Sequence, residues 1–199
     1  MYNPGTKTRI LYAALRLFAA NGVENVSMRE LAEAAGIKAG SIYNHYTTKE
    51  QIVDACYDFF LQHYSVGRLN QEEYLPILEK GPKEEVLHIP EGQVPDDKAE
   101  NLAYAMIIVV TRIHADIKAL DTYTKMVDGS LQFLEEFFTT GIRIGRFKDF
   151  NVRGVSMIFL GIRLFASQSV AIMPKEIQDS GKAQLEMLSE LEKLIPFQR

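Results

Sequence analysis

The stretch from Ser27 to Lys49, SMRELAEAAGIKAGSIYNHYTTK, decides the fold of the N-terminal quarter of this 199-residue chain. Ser27 with Glu30 three residues later is the capping-box signature of a helix start. Gly36 is predicted to end that helix, and a second short helix is predicted from Ala39 to Tyr46. Two short helices joined by a glycine turn are typical of a helix-turn-helix.

The second of these helices has a polar and aromatic outer face. Ile42 and Tyr46 are four residues apart and are predicted to point inward, which leaves Lys38, Tyr43 and His45 outside. A short helix with such a face is suited to a DNA major groove. A preceding helix, Thr6 to Asn21, is predicted to support the pair.

About ten positions between Thr8 and Val53 carry a recognisable pattern at constant spacing. They are Ala14, Phe18, Gly22, Ser27, Leu31, Ala32, Ala35-Gly36-Ile37, Ser41-Ile42-Tyr43, His45-Tyr46 and Lys49-Glu50. This segment resembles the DNA-binding domain of the TetR/AcrR family of transcriptional regulators. Lys38 departs from the small polar residue that the family usually has at the start of its recognition helix, so the resemblance does not extend to an operator sequence.

The resemblance implies a DNA-reading role for the outer face of the helix-turn-helix. Phosphate contacts are expected from Ser27, Tyr43 and Lys49, and contacts with the groove floor from Lys38, Ala39, Ser41 and His45. A cation in the first turn of a helix opposes the helix dipole, which for Lys49 favours a docked phosphate over a solvated side chain. The full candidate DNA-binding set is Ser27, Lys38, Ala39, Gly40, Ser41, Tyr43, Asn44, His45, Tyr46 and Lys49.

Charge is unevenly distributed along the chain. Residues 1–50 contain six Lys or Arg against four Glu, whereas the whole chain has a formal charge of -4. A weakly basic head on an acidic body fits a protein that touches DNA only with its N-terminal part. The predicted domains are therefore a helix-turn-helix DNA-binding domain, 1–47, and a helical effector-binding and dimerisation domain, 48–199.

The rest of the chain also has helical periodicity, and no strand pattern stands out, so the predicted fold is all-α. A long helix is predicted to open at Asp96-Asp97, a further helical region spans Asp121 to Arg143, and the last helix spans Lys175 to Leu194. An effector cavity is predicted in this body, with aromatic residues that favour a mainly apolar small molecule. Its candidate lining is Tyr104, Arg112, His114, Tyr123, Phe133, Phe137, Phe159 and Arg163, although Arg112 is also explained by an internal pair with Asp116.

The resemblance implies a homodimer whose last two helices pack against those of the partner, and two heads about one DNA turn apart would read a palindromic operator. We found no phosphate loop, HExxH or G-x-S-x-G motif, so an enzyme is not predicted. No cofactor is predicted, and His63 with His88 lacks a third metal ligand. Cys56 is predicted to pack in the core.

No signal peptide is visible and the longest apolar run is too short to span a bilayer, so a cytoplasmic protein without a membrane partner is predicted. Two alternatives remain. One is a helical small-molecule or lipid-binding protein in which the helix-turn-helix is only structural, and the other is an all-α enzyme that uses the body cavity.

Overall fold

A computed structural model of the protein describes residues 5–64, 70–88, 96–172, 190 and 195–197. The fold is all-α, as predicted, and these ranges contain no β-strand. The α-helices are α1 (Thr6–Asn21), α2 (Met28–Ala34), α3 (Lys49–His63), α4 (Gln71–Lys80), α5 (Lys83–His88), α6 (Asp96–Arg112), α7 (Ile117–Arg143) and α8 (Val152–Ile172). Two 3-10 helices, Val23–Asn25 and Ala39–Asn44, lie before α2 and before α3.

Most helix ends lie where the local sequence predicts them. Gly22 ends α1 with a φ of 79° and donates a hydrogen bond to the carbonyl of Phe18. The helix predicted from Asp121 begins earlier, at Ile117, because the Asp116 carboxylate accepts a hydrogen bond from the Lys118 backbone N–H and so caps the first turn. The predicted last helix, Lys175 to Leu194, lies outside the described residues apart from residue 190.

The chain divides into two compact units. The first contains Met1–Tyr64 and Pro95–Tyr123, and the second contains Ser65–Val94 and Thr124–Arg199. In the first unit α6 packs against both α1 and α3, so this helix belongs with the helix-turn-helix region. The functional boundary predicted between residues 47 and 48 stays a prediction.

The core of the first unit surrounds α1 and α3. Ile10, Leu15, Ile52 and Phe60 are completely buried. Cys56 is also completely buried, and burial raises the pKa of its thiol, which agrees with the predicted packing role. The apolar faces of these helices are therefore buried in the core of the unit, and their polar faces are left for contacts with solvent or a ligand.

The second unit has a core of packed aromatic rings. Phe137 and Phe138 of α7 contact Phe147, which follows the turn at Gly145, where φ is 77°. A Cβ at Gly141 would lie 2.2 Å from the Phe147 ring, so only glycine lets this ring approach α7. Phe147 also pairs through a single β-bridge with Phe197.

None of the described helices combines the length and the apolarity needed to cross a bilayer.

Candidate nucleic-acid interface

The start of α2 is fixed by a complete capping box. The Glu30 backbone N–H donates to Ser27 Oγ at 3.2 Å, and the Ser27 backbone N–H donates to Glu30 Oε2 at 2.7 Å. The Ser27 hydroxyl donates to Glu30 Oε2 at 2.7 Å, and this hydrogen bond, together with the one from the Ser27 backbone N–H, holds the pKa of the Glu30 carboxyl below its ordinary value. Ser27 is exposed, but it also stabilises the helix start, because its hydroxyl accepts a hydrogen bond from a backbone N–H that would otherwise have no partner in the helix.

The end of α2 is a Schellman turn around Gly36. The Ile37 N–H donates to the carbonyl of Ala32 at 2.9 Å, and the Gly36 N–H donates to Glu33 at 3.0 Å. Gly36 has a φ of 67°, a conformation that side chains with a Cβ rarely adopt. The glycine therefore sets the angle at which the chain enters the next segment.

The predicted recognition helix is a 3-10 helix over Ala39–Asn44 rather than an α-helix to Tyr46. Its Ile42 is completely buried, which anchors the segment to the core of the first unit. On the opposite side Tyr43 is 53% exposed. The other exposed candidates are Lys38, Ala39, Gly40, Asn44 and His45, and Ser41 is half-buried. The outer face of this segment is thus free of protein contacts over most of its length.

Tyr46 requires a correction. Its side chain is only 5% exposed, and burial raises the pKa of its hydroxyl. Lys7 Nζ lies 5.3 Å from the centroid of its ring. The inward direction predicted from the spacing to Ile42 is right, and the inclusion of Tyr46 among the DNA contacts is not retained, because a buried ring cannot reach a phosphate or a base.

Lys49 forms contacts that the sequence analysis did not predict. Its Nζ donates to the carbonyls of Val23 at 2.9 Å, Val26 at 3.2 Å and Glu24 at 3.5 Å. The ammonium has three donors, and all three are used by the 3-10 turn that precedes α2. The ammonium of Lys49 therefore positions this turn in the structure, and its predicted phosphate contact stays a prediction.

The same turn is held from α6 by Arg112. Its Nη1 donates to Glu24 Oε1 at 2.8 Å, and its Nε donates to the Tyr57 hydroxyl at 3.1 Å. The Tyr57 hydroxyl donates in turn to Asp116 Oδ2 at 2.8 Å, while Asp116 lies 3.5 Å from Arg112 Nη2. The internal pair of Arg112 with Asp116 is present, and it belongs to a larger network that joins α3, α6 and the turn before α2.

The remaining effector candidates divide between the two units. In the first, Tyr104 is half-buried and donates a hydrogen bond to Glu100 at 2.7 Å, His114 is exposed and Tyr123 is half-buried. In the second, Phe133 and Phe137 stack with ring centroids 6.2 Å apart, and Phe159 contacts Phe138. Arg163 is half-buried on α8.

The contacts in the second unit favour core packing for its aromatic candidates. Phe137 and Phe159 are both buried by neighbouring rings. Tyr74 of α4, which the sequence analysis did not single out, packs edge-on against Phe133 and Phe137. Helical spacing cannot distinguish a ring that lines a cavity from a ring that fills a core.

Residues outside the predicted set also form polar sites in the first unit. Glu24 and Tyr57 complete the Arg112 network, and Arg9 and Arg16 line a groove with Tyr104. The two arginines are seven residues apart, which indicates one face of α1, but no local signal shows that α6 lies opposite them. Within the described part of the chain, no three His, Cys, Asp or Glu side chains come close enough to hold a metal ion.

Comparison with known proteins identifies the N-terminal part. The sequence profile of the bacterial regulatory proteins of the tetR family matches residues 10–56. The HTH-type transcriptional repressor KstR2 of Rhodococcus jostii (strain RHA1) is 42% identical over 57 residues, 29% of this chain and 28% of that protein. The HTH-type transcriptional regulator AcrR of Shigella flexneri is 32% identical over 97 residues, 47% of this chain and 44% of that protein. The alignments thus span less than half the length of these curated relatives.

Solved structures extend the likeness in fold beyond the matched segment. KstR2 of Mycobacterium tuberculosis, a ketosteroid transcriptional regulator, has a TM-score of 0.57 and 19% identity, with 99% of this chain and 98% of that chain covered. AibR in complex with isovaleryl coenzyme A and operator DNA has a TM-score of 0.57 and 18% identity, with 97% and 100% covered. These identities establish a shared fold only. The matching profile and the capped helix-turn-helix lead to the conclusion that residues 10–56 form a DNA-binding domain of the tetR family type.

Proposed function

We propose that this protein is a transcriptional repressor that binds a palindromic operator as a homodimer and leaves it when a small, mainly apolar molecule binds the helical body. The observation that carries the proposal is the exposed face of Ala39–Asn44, flanked by Lys38 and His45. Ile42 below that face is completely buried and anchors the segment to the core of the first unit. An exposed, polar and aromatic surface on a helix-turn-helix is suited to a DNA groove.

In this proposal Lys38 contacts the bases directly, and Ser27 and Tyr43 contact phosphates. Lys38 is exposed and precedes the 3-10 helix, where its ammonium is free to reach guanine O6 and N7. The Tyr43 hydroxyl lies on a ring that is about half exposed, which suits a contact to the DNA backbone. Residues 1–47 form the DNA-binding head and residues 48–199 form the effector-binding and dimerisation body.

Dimerisation is assigned to α8. Gly154, Met157, Ile158 and Gly161 have the i, i+3, i+4, i+7 spacing of one helix face, and Met157 and Ile158 are more than half exposed. A Cβ at Gly161 would meet nothing within 4 Å, so a second helix has room to approach there. An apolar face with small residues supports pairing with a second copy of this chain.

The release step is a population shift between a DNA-fitting and a DNA-releasing state. The chain of contacts available in the first unit runs from α6 through Arg112 to Glu24 in the turn before α2, and through Tyr57 to α3. A ligand that moves α6 changes these contacts and hence the direction of the recognition segment. AibR, with a similar fold, was solved with isovaleryl coenzyme A and operator DNA, which supports an effector that carries an apolar acyl group.

Selection of random duplex DNA by the purified full chain, followed by binding measurements at several salt concentrations, tests the proposal. We expect an enriched palindrome with half-sites about one helical turn apart and an affinity that falls steeply with salt. A variant with Lys38→Ala and His45→Ala, which keeps the buried Ile42, should not enrich that palindrome. No enrichment and no salt dependence would contradict the proposal and favour the helical small-molecule or lipid-binding protein.

A further inference from the structure

A groove of about 290 Å³ lies in the first unit, where α1, the end of α2 and the start of α6 meet. Arg9 and Arg16 of α1 and Glu100 and Tyr104 of α6 contribute its polar lining. Asn101 adds a polar amide, and the rest of the lining is the ring of Tyr12 and three alanines, Ala13, Ala34 and Ala35. The groove is therefore amphipathic and contains two cations and one carboxylate.

Neither arginine is neutralised by a carboxylate. Within the described part of the chain, the one hydrogen bond of the Arg9 side chain is a 3.4 Å contact from Nη2 to Thr6 Oγ1, and its buried Nε has no partner. Arg16 is exposed and forms neither a hydrogen bond nor an ion pair with the described residues. A guanidinium has five N–H donors, so most donors of both groups are unused.

The carboxylate in the groove is hydrogen-bonded to another lining residue and not to either arginine. Glu100 Oε1 accepts a 2.7 Å hydrogen bond from the Tyr104 hydroxyl, while it forms no ion pair with Arg9 or Arg16. The groove therefore has an excess of one positive charge. This arrangement costs free energy unless water or an anion satisfies the guanidinium groups.

The spacing of the arginines suits one small anion. Arg9 and Arg16 are seven residues apart on α1, which corresponds to about 10 Å along the helix axis. Two arginine side chains that lean toward each other span this distance and reach a single carboxylate or phosphate group. Tyr12 and Tyr104 line the same groove and offer apolar ring surface to the remainder of a ligand.

We propose that this groove binds a small organic anion, a carboxylate or a phosphate monoester with an attached apolar group, through the guanidinium groups of Arg9 and Arg16. The site is separate from the aromatic cluster of the second unit. A Cβ at Gly36 would lie 3.6 Å from Arg9 Nη1, so an anion bound by Arg9 lies close to the turn of the helix-turn-helix. Any effect on DNA affinity rests on the proposed function, whereas the binding itself does not.

Titration calorimetry of the full chain without DNA tests this site, with phenyl phosphate and benzoate as probes and benzyl alcohol as the uncharged control. We expect saturable binding of one anion per chain and no binding of benzyl alcohol. Arg16→Gln should weaken binding about tenfold, because a charge-assisted hydrogen bond is lost. Arg29→Gln, which removes the same charge from an exposed position of α2 outside the groove, should leave the affinity within about twofold.

A second variant tests the sign of the electrostatic effect. Glu100→Gln removes the carboxylate from the groove, so we expect it to tighten binding of both probes severalfold. Arg9→Gln should weaken binding as Arg16→Gln does. If Arg9→Gln does not fold, Arg16→Gln and Glu100→Gln decide the matter, since both residues are exposed.

Three results would overturn the proposal. The first is no saturable binding of either probe at millimolar concentration, and the second is an equal loss in Arg16→Gln and Arg29→Gln, which indicates general charge attraction. The third is a phenyl phosphate affinity that Arg16→Gln leaves unchanged while the salt dependence of binding to random duplex DNA becomes weaker, which assigns this arginine to DNA phosphate. Whether phenyl phosphate or benzoate binds more tightly identifies the anion class. Because the titration contains no DNA, its outcome is independent of whether the protein represses transcription.

Discussion

Arg112 Nη1 donates a hydrogen bond to Glu24 Oε1 at 2.8 Å, and this contact joins two residues 88 positions apart in the sequence. Glu24 lies in the 3-10 turn directly before α2, and Arg112 is the last residue of α6. Lys49 holds the backbone of the same turn from α3. The short turn that orients the helix-turn-helix is therefore held by cations from two different helices.

Removal of the Arg112 guanidinium should destabilise the first unit. The Arg112 side chain is 22% exposed, and its loss leaves the Tyr57 hydroxyl and Asp116 without a charged donor. We expect Arg112→Met to lower the free energy of unfolding by about 1–3 kcal/mol in urea titrations followed by circular dichroism. Lys118→Met is the matched control, because its ion pair with Asp54 is more exposed and should contribute little. Equal losses in both variants would show that the Arg112 network has no special role.

The free energy of unfolding should also decrease in acid, because the Arg112 network contains two carboxyl groups with lowered pKa values, Glu24 and Asp116. The hydrogen bond and charge of Arg112 hold the pKa of Glu24 below its ordinary value of 4.5. Burial raises the pKa of Asp116, but hydrogen bonds from Tyr57 and the Lys118 backbone and the charge of Arg112 lower it further, so the net shift is downward. A carboxyl with a depressed folded-state pKa contributes stability above its unfolded pKa and loses it as the pH falls through the folded pKa.

We therefore expect the urea midpoint to decrease below about pH 4.5, with a smaller decrease in Glu24→Gln. Glu33→Gln changes an exposed glutamate of α2 that has no ion pair within the described residues and is the control. An identical acid response in wild type and Glu24→Gln would rule out the contribution of Glu24.

Lys49→Met separates a positioning role from a phosphate contact. Loss of three carbonyl hydrogen bonds should lower the free energy of unfolding by about 1–2 kcal/mol and weaken binding to all DNA sequences. The slope of the logarithm of affinity against the logarithm of salt concentration should stay unchanged. A slope smaller by about one with unaltered stability would instead indicate a direct phosphate contact.

Tyr43→Phe and Lys38→Ala should affect DNA binding in different ways. Tyr43→Phe removes one hydroxyl from a half-exposed ring and should weaken binding to every sequence alike. Lys38→Ala should relax one base position, with a loss of discrimination of about 1–3 kcal/mol. Sequence profiles of both variants from the same random duplex library provide the measurement. A changed base preference in Tyr43→Phe, or an unchanged profile in Lys38→Ala, would contradict the respective role.

Ile158→Glu should separate the proposed dimer into monomers. Ile158 is 53% exposed, so the substitution is tolerated by the single chain, whereas a dimer interface would bury the new charge. We expect a monomer in sedimentation velocity with an unaltered helical spectrum, and much weaker binding to a palindromic duplex. Gln132→Glu, which adds a carboxylate at an exposed position of α7, is the control. A dimer that survives Ile158→Glu and Met157→Glu would exclude this face of α8.

The local sequence was sufficient to predict the helices and the turn that form the candidate interface. The capping box of Ser27 and Glu30 and the glycine turn at Gly36 involve groups only three to five residues apart. Such interactions are determined by neighbouring residues, so the pattern in the sequence predicts them directly. The inward direction of Ile42 and Tyr46 follows from their spacing in the same way.

The contacts that hold and surround this interface were decided by tertiary structure. Nothing near Lys49 in the sequence indicates that its ammonium donates hydrogen bonds to the carbonyls of Val23 and Val26. Likewise, nothing near Arg112 indicates that its guanidinium pairs with Glu24. Periodicity shows that a helix has an apolar face, but it does not show which helix covers that face. By itself the sequence determined the all-α fold and the helix-turn-helix, because these depend on local hydrogen bonds and periodic burial. The Arg112 contacts and the groove depend on the packing of α6 against α1 and α3, and the Lys49 contacts depend on the approach of α3 to the turn before α2, since side chains far apart in sequence meet only after the helices have packed.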